Sequence, residues 1–351
     1  MNERVTGRGE YRQLAERLLD SPVRLAVYAV FLLALPRVFP IGLATQIAIF
    51  GLFALAFNLL FGYSGLLSFG HALFLGTGAY AAALVVIHFD GPPVAAILLA
   101  VVVLEGAIAL VAGLLSLRLS GVYFSMITLA FGQFFYELSY TMDGLTGGSD
   151  GLLGVYRPSL FGAGLVELSD ADNFYTLVAA LTFLVLLFGF LMTRSTFGRT
   201  LRAIRENEER TRALGVNTYR VKVLIFAISG MLAGVAGALQ GLYLRFVSPD
   251  VLFWAVSGDA VLNTLVGGMQ TLFGPIVGAL FLHWLEDTFF GTAPGAWNVL
   301  LGAVFVFFVL FARSGIVGVF RTALRRVADR LDRGGGGGDD VALSSTTESD
   351  D

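Results

Sequence analysis

Apolar residues along this chain come in long unbroken runs rather than with the alternation of a half-buried strand. A helix needs roughly 20 consecutive apolar residues to cross the hydrocarbon core of a bilayer, because each residue advances it by about 1.5 Å. Ten stretches meet or approach that length: Val23–Phe39, Leu43–Phe61, Leu66–Ile87, Pro93–Leu115, Val122–Tyr140, Phe174–Met192, Val223–Leu244, Val251–Gly267, Leu272–Phe290 and Ala296–Ala312. The pattern predicts an all-α, polytopic membrane protein with about 8–10 transmembrane helices. The lower figure covers the eighth and ninth runs, which are short and separated only by GGMQT. They could form a re-entrant pair or one broken helix, because backbone that leaves a helix at membrane depth must be sheltered by protein or water.

The polar segments between the runs orient the bundle. Short cytoplasmic loops collect Lys and Arg, and with the amino terminus inside, ten spans put 20 of the 23 basic residues in the cytoplasm. Only Arg37, Arg157 and Arg245 then fall outside. Both termini are therefore expected in the cytoplasm. On this count residues 1–22 are expected to form a cytoplasmic N-terminal segment, 23–312 the transmembrane domain, 194–222 a cytoplasmic loop within it, 141–173 an external loop and 313–351 a cytoplasmic tail. The polar start lacks a small-residue cleavage site after its apolar segment and does not read as a cleaved signal peptide. The tail from about 334, GGGGGDDVALSSTTESDD, offers almost nothing to bury and is expected to be disordered.

Composition agrees with the medium: 56% of residues are hydrophobic, 14% are charged and the mean hydropathy is +0.78. Cysteine is absent, which excludes disulfides, thiolate catalysis and cysteine-ligated metals. Lysine occurs once, as Lys222 in RVKVL, so the Gly-Lys-Ser/Thr core of a phosphate-binding P-loop is missing. No cofactor is expected in this chain, and energy must come from an ion gradient, from a partner, or from nothing.

Several polar side chains interrupt the runs. GYSGLLSFGH places Ser64 between glycines and His71 seven residues on, two turns along a regular helix and on the same face. G-x-S-G also surrounds the serine of rhomboid-type intramembrane proteases, and His283 is a conceivable base for such a nucleophile. Glycines of this kind equally serve close helix packing. Glu105 sits near the middle of the fourth run, where a charge costs at least about 2.5 to 3.5 kcal/mol and must face a partner or a wet cavity. Asp259 and Asn263 are four apart and share a helix face. Asn58, Ser64, Ser68, His71, Asp259 and Asn263 are the candidates to border a polar pathway. In the external loop, TGGSDG brings Gly147, Gly148, Ser149 and Asp150 together, either as a turn or as a backbone cradle for an anion.

Arg199 to Lys222 carries seven basic and three acidic residues and lacks proline. It predicts a short surface helix with Leu201, Ala203, Ile204 and Leu214 on one side, packing against no span.

Four segments together carry a resemblance. They are NLLFGYSGLLSFGHALFLGTGAYAAA from Asn58, GVYFSMITLAFGQFFY with GLTGGSDGL between Gly121 and Leu152, FGRTLRAIRENEERTRALGVNTYRVKVLIFAISGMLAGVAGAL from Phe197, and NTLVGGMQTLFGPIVGAL from Asn263. In order and spacing the chain resembles the permease subunits of ABC importers for branched-chain amino acids, of the LivM type. The resemblance implies a cell-membrane permease that forms half of a translocation pathway with a second, LivH-like permease. It also implies two ATPase subunits, which would bind the ATP and magnesium, and an extracytoplasmic solute-binding protein. Membrane lipid is the surrounding partner, and no nucleic acid is implied.

ERTRALG, from Glu209 to Gly215, resembles the coupling motif of such permeases, with Arg210 and Thr211 in place of two alanines. On that resemblance Arg205, Glu206, Glu209, Ala213, Leu214 and Gly215 contact an ATPase. A urea or short-amide permease, an ion-coupled secondary transporter using Glu105, Asp259 and His71, and a serine protease using Ser64 are the competing readings.

Overall fold

The computed structural model describes residues 23–89, 91–161, 166–290, 297–311, 314–320 and 322–323. Expectations for residues 1–22 and for the tail from 324 onward lie outside them. Among the described residues the regular structure is helical, apart from one antiparallel bridge between Leu152 and Val247.

A helix lies over each of the ten apolar runs. These are α1 (Val23–Val38), α2 (Ile41–Ser64), α3 (His71–His88), α4 (Val94–Ser116) and α5 (Val122–Thr141). A single turn, α6 (Asp143–Thr146), leads into an irregular segment, and α7 (Ala171–Arg194) follows. The basic loop forms α8 (Thr196–Glu206) and α9 (Glu208–Ala213), before α10 (Thr218–Leu244), α11 (Trp254–Gly267), α12 (Gly274–Phe290) and α13 (Trp297–Phe311). Five of them, α2, α3, α4, α7 and α10, are long and apolar enough to cross a membrane, so the chain is a polytopic membrane protein.

Packing follows from side-chain size and charge. α2 carries no charged residue, and 89% of its most apolar stretch is buried, against 33% in α4. It is the central post, packed on α7, α10, α11 and α12, while α10 also packs on α3 and α4. Where α3 and α10 cross, glycine permits backbone contact: a Cβ on Gly78 would overlap the Gly234 carbonyl, and one on Gly237 the Leu75 carbonyl. The outward faces of α4 and α5 expose Leu99, Val103, Val111, Tyr123 and Met126, as a lipid-facing surface requires.

Two runs begin later than their hydropathy suggests. Leu66–Ile87 becomes helical only at His71, because Gly65 takes the left-handed conformation (φ 77°) and closes α2 with its N–H on Phe61 O at 3.0 Å. Ser64 and His71 are therefore not two turns apart on one helix. Val251–Gly267 becomes α11 only from Trp254, after a 3₁₀ turn over Pro249–Leu252.

Candidate functional site

The two late starts meet inside the bundle. His71 opposes Ser229 of α10 and Ala56 of α2. Ser229 lies roughly 16 Å along α10, so α3 begins well inside the length of that helix. The 65–70 segment climbs to that level in the shelter of α5: Ser125 Oγ donates to Leu67 O at 2.6 Å, and Gly70 N–H reaches Ser68 Oγ at 3.4 Å. The start of α11 is pinned beside the start of α3 by Ala72 N–H on Ser257 Oγ at 2.7 Å. Two helices thus begin side by side inside the bundle, with Ser68, Gly70, Pro249 and Leu252 of their irregular approaches buried.

Neither histidine meets Ser64. Its hydroxyl donates to Leu60 O at 2.7 Å, one turn back along its own helix. Ser229 Oγ donates to Ala56 O at 2.6 Å, so the 2.8 Å contact with His71 Nε2 makes that nitrogen the donor. His71 Nδ1 is left as a bare, buried acceptor among Phe57, Phe74 and Phe226. His283 Nδ1 contacts Ala279 O at 3.0 Å, and its ring lies against Phe50. Ser64 therefore forms no dyad with His71 or His283.

The remaining polar candidates divide. Asn58 is fully buried, its Nδ2 donating to Thr271 O at 2.9 Å, and Ser68 is fully buried beside it in sequence space only, on the 65–70 segment. Asn263 is buried with Oδ1 unpartnered, and Asp259 is half-buried one turn away on α11, with Glu286 of α12 as its charged neighbour. Glu105 is fully buried, its Oε1 2.7 Å from Thr77 Oγ1 and its side chain flat on Gly234. It ties α4 to α3 and α10, which is the glue role of an intramembrane polar group.

The TGGSDG segment is a tight turn. Gly147 N–H bonds Asp143 O, Gly148 N–H bonds Thr146 Oγ1, Asp150 N–H bonds Gly147 O and Gly151 N–H bonds Gly148 O. Gly147, Gly148 and Gly151 all have positive φ, the region glycine alone enters without strain. Ser149 and Asp150 are exposed at its tip. The loop is held to the bundle by the Leu152–Val247 bridge and by Arg157, which donates to Leu242 O and Tyr243 O at the end of α10 and lies over the Phe174 ring.

At the opposite end, the basic loop is two helices rather than one. Ser195, Asn207 and Asn217 each accept from a backbone N–H at the start of α8, α9 and α10, so three side-chain caps fix the three helix starts. Leu201 and Ile204 are buried, whereas Ala203 is exposed and Leu214 is 80% exposed. The expected common apolar side breaks at Asn207, where the chain is extended. Gly215 follows α9 at φ 86°, as a helix-ending glycine does. Glu206 and Glu209 are exposed. Glu208 accepts from Lys222 at 2.8 Å, Arg212 at 3.0 Å and Thr218 at 3.0 Å, which fastens α9 to the root of α10. Burial raises the Glu208 pKa, but Lys222, Thr218 and Arg212 outweigh it and hold the carboxyl below its ordinary value.

The loop also packs on the spans, contrary to expectation. Arg205 donates to Gly62 O at the end of α2, and the hydrogen-bond network turns the Gln270 amide so that its oxygen accepts from both Arg205 Nη atoms, at 2.8 and 3.0 Å. A cavity of about 380 Å³ opens here, lined by Tyr28, Thr193, Arg194, Arg202, Arg205 and Gln270 among others. Sequence reasoning did not find Gln270, Ser229, Ser257 or Thr77. Gln270 stands in the GGMQT interruption, which is a signal of a tight turn but not of its partner.

The family described as the permease component of branched-chain amino acid transport systems matches residues 39–309. The LivM permease protein of high-affinity branched-chain amino acid transport in Escherichia coli K12 is 29% identical over 332 residues, taking in 87% of this chain and 78% of its own length. Its counterpart in Salmonella typhimurium is 29% identical over 305 residues, 81% of this chain and 71% of its own. A shorter stretch of 128 residues is 33% identical to the xylose transport permease XylH of Escherichia coli K12, 34% of this chain and 32% of that one. No solved structure matches. With the family model running through both helix breaks and the basic loop, the chain belongs to the branched-chain amino acid ABC permease family and is a multi-pass membrane permease, not an enzyme.

Proposed function

We propose that this chain forms one half of the membrane pathway of an ATP-driven importer for branched-chain or related small amino acids. Membership of an ABC permease family implies ATPase and binding-protein partners. The finer reading is a second, LivH-like permease beside this chain, two ATPase subunits beneath it and a solute-binding protein outside. ATP and magnesium belong to those ATPases.

One observation carries the coupling role. α8 and α9 are capped, bonded to α2 and α10, and yet present Leu214 at 80% exposure among the described residues. An exposed leucine on a rigidly based loop, with the exposed charges of Glu209, Arg210 and Arg212 in the turn before it, suits the buried centre and charged rim of a protein contact. In this reading the basic loop and both termini are cytoplasmic, and all ten helices other than α6, α8 and α9 lie in the membrane. The adjoining starts of α3 and α11, with Asn58, Ser64, Ser68, His71, Asp259 and Asn263 in their neighbourhood, border the route. The exposed tip at Ser149 and Asp150 faces the binding protein.

The test is uptake by proteoliposomes holding the chain with its partner permease, ATPases and binding protein. ATP-dependent accumulation of labelled leucine, isoleucine or valine, unaffected by excess urea, is expected. Accumulation of urea instead, or uptake that follows an ion gradient without ATP, would contradict the reading.

A further inference from the structure

The cytoplasmic-end contacts of Arg205 do not resemble those of a surface arginine. Its guanidinium is half-buried and has no carboxylate within ion-pair distance among the described residues. It bonds instead to two neutral acceptors on two separate membrane elements: Gly62 O at the end of α2 and Gln270 Oε1 in the turn between α11 and α12. A charge-assisted, two-pronged bond from a planar guanidinium fixes direction as well as distance.

The turn that receives it has no slack. Gln270 holds φ 66°, a conformation unusual for a residue with a side chain. Asn58 Nδ2 binds Thr271 O at 2.9 Å, and Tyr63 Oη donates to Gln270 O at 3.3 Å. Gly62 could not carry a Cβ, because Asn58 occupies that space and Gln270 N is 3.2 Å away. Beyond the turn, α11 carries Asn263, Asp259 and Ser257, and Ser257 holds the start of α3 through Ala72.

We propose that Arg205 is a positioning residue that locks the basic loop to the α11–α12 turn, so that displacement of the loop is delivered to α11 and to the paired starts of α3 and α11. This rests on the reading of residues 196–215 as the ATPase contact. Arg205 does not meet the ATPase in this role; its bond points inward, and the outward contact belongs to Leu214.

The experiment measures import and ATP hydrolysis side by side in the reconstituted complex. With Arg205→Ala, ATPase subunits stay bound and hydrolysis stays within about twofold of wild type while import falls roughly tenfold or more, the scale of one lost charge-assisted hydrogen bond. Gln270→Gly is the second variant: glycine suits a positive φ, so it removes the acceptor without straining the turn. It should split import from hydrolysis in the same way, and Gln270→Glu, which keeps an acceptor for the guanidinium, should restore the wild-type ratio. Wild-type import per ATP in Arg205→Ala or Gln270→Gly, a proportional fall of both activities, or Gln270→Glu behaving like Gln270→Gly overturns the proposal. The reading of the loop as the ATPase contact fails on a different result, namely a Leu214→Asp protein that imports normally with its ATPases bound.

Discussion

Ser64 bonds only to the carbonyl one turn behind it, so replacing it by alanine removes a single short-range bond worth about 0.5–1.5 kcal/mol. Ser64→Ala should therefore keep most of the wild-type import rate, measured against the amount of assembled complex; complete loss with normal assembly would mean that the hydroxyl does chemistry. The glycines of the α3–α10 crossing are the opposite case. Gly237→Val would drive a Cβ into the Leu75 carbonyl, and overpacking of this kind costs about 1–3 kcal/mol or more. A lowered melting temperature in detergent is expected for Gly237→Val and not for Gly144→Val, where nothing lies within 4 Å. At this scale the sequence identifies residue types but not partners. Ser64 and His71 read as a pair in GYSGLLSFGH, yet each is held by a residue that the sequence does not point to, Leu60 and Ser229.

Elements were more legible than residues, because a run of apolar side chains is a local property and a helix is its local consequence in lipid. What the runs did not disclose is where two of them stop being helical: Leu66, Leu67 and Phe69 are apolar enough to continue a helix, and only the left-handed Gly65 cuts them off. The basic loop shows the same limit. Its charges and Gly215 were readable, but its division at Asn207 depends on a side chain that caps α9 by accepting from Arg210 N–H at 2.8 Å. The base of that loop carries a pH signature. Because the Glu208 pKa is held below its ordinary value in the folded chain, its contribution to stability is present above the unfolded carboxylate pKa and is lost as pH falls through the lower, folded one. Proteolytic cleavage within residues 207–217 should accelerate as the pH drops through the acidic range, and Glu208→Gln should show the fast cleavage already at neutral pH. Equal cleavage of both proteins at pH 7 would mean that the Lys222 contact does not hold the loop.

For the whole molecule, the proposed orientation rests on the distribution of arginine, and the absence of cysteine makes it simple to test. Cysteine placed at the exposed Glu209 should resist a membrane-impermeant thiol reagent in intact cells, and cysteine placed at the exposed Ser149 should react with it; the reverse pattern would invert the topology. The central claim is that this permease is driven through the loop that carries Leu214, and it is tested most directly by Leu214→Asp in the reconstituted importer. A carboxylate at the centre of a protein contact is buried without a partner and costs several kcal/mol. The account predicts that the variant folds, because Leu214 is 80% exposed in the chain alone, and that import falls at least roughly tenfold through loss of the ATPases or of their grip. Import at the wild-type rate by the Leu214→Asp protein with its ATPases still bound would contradict it.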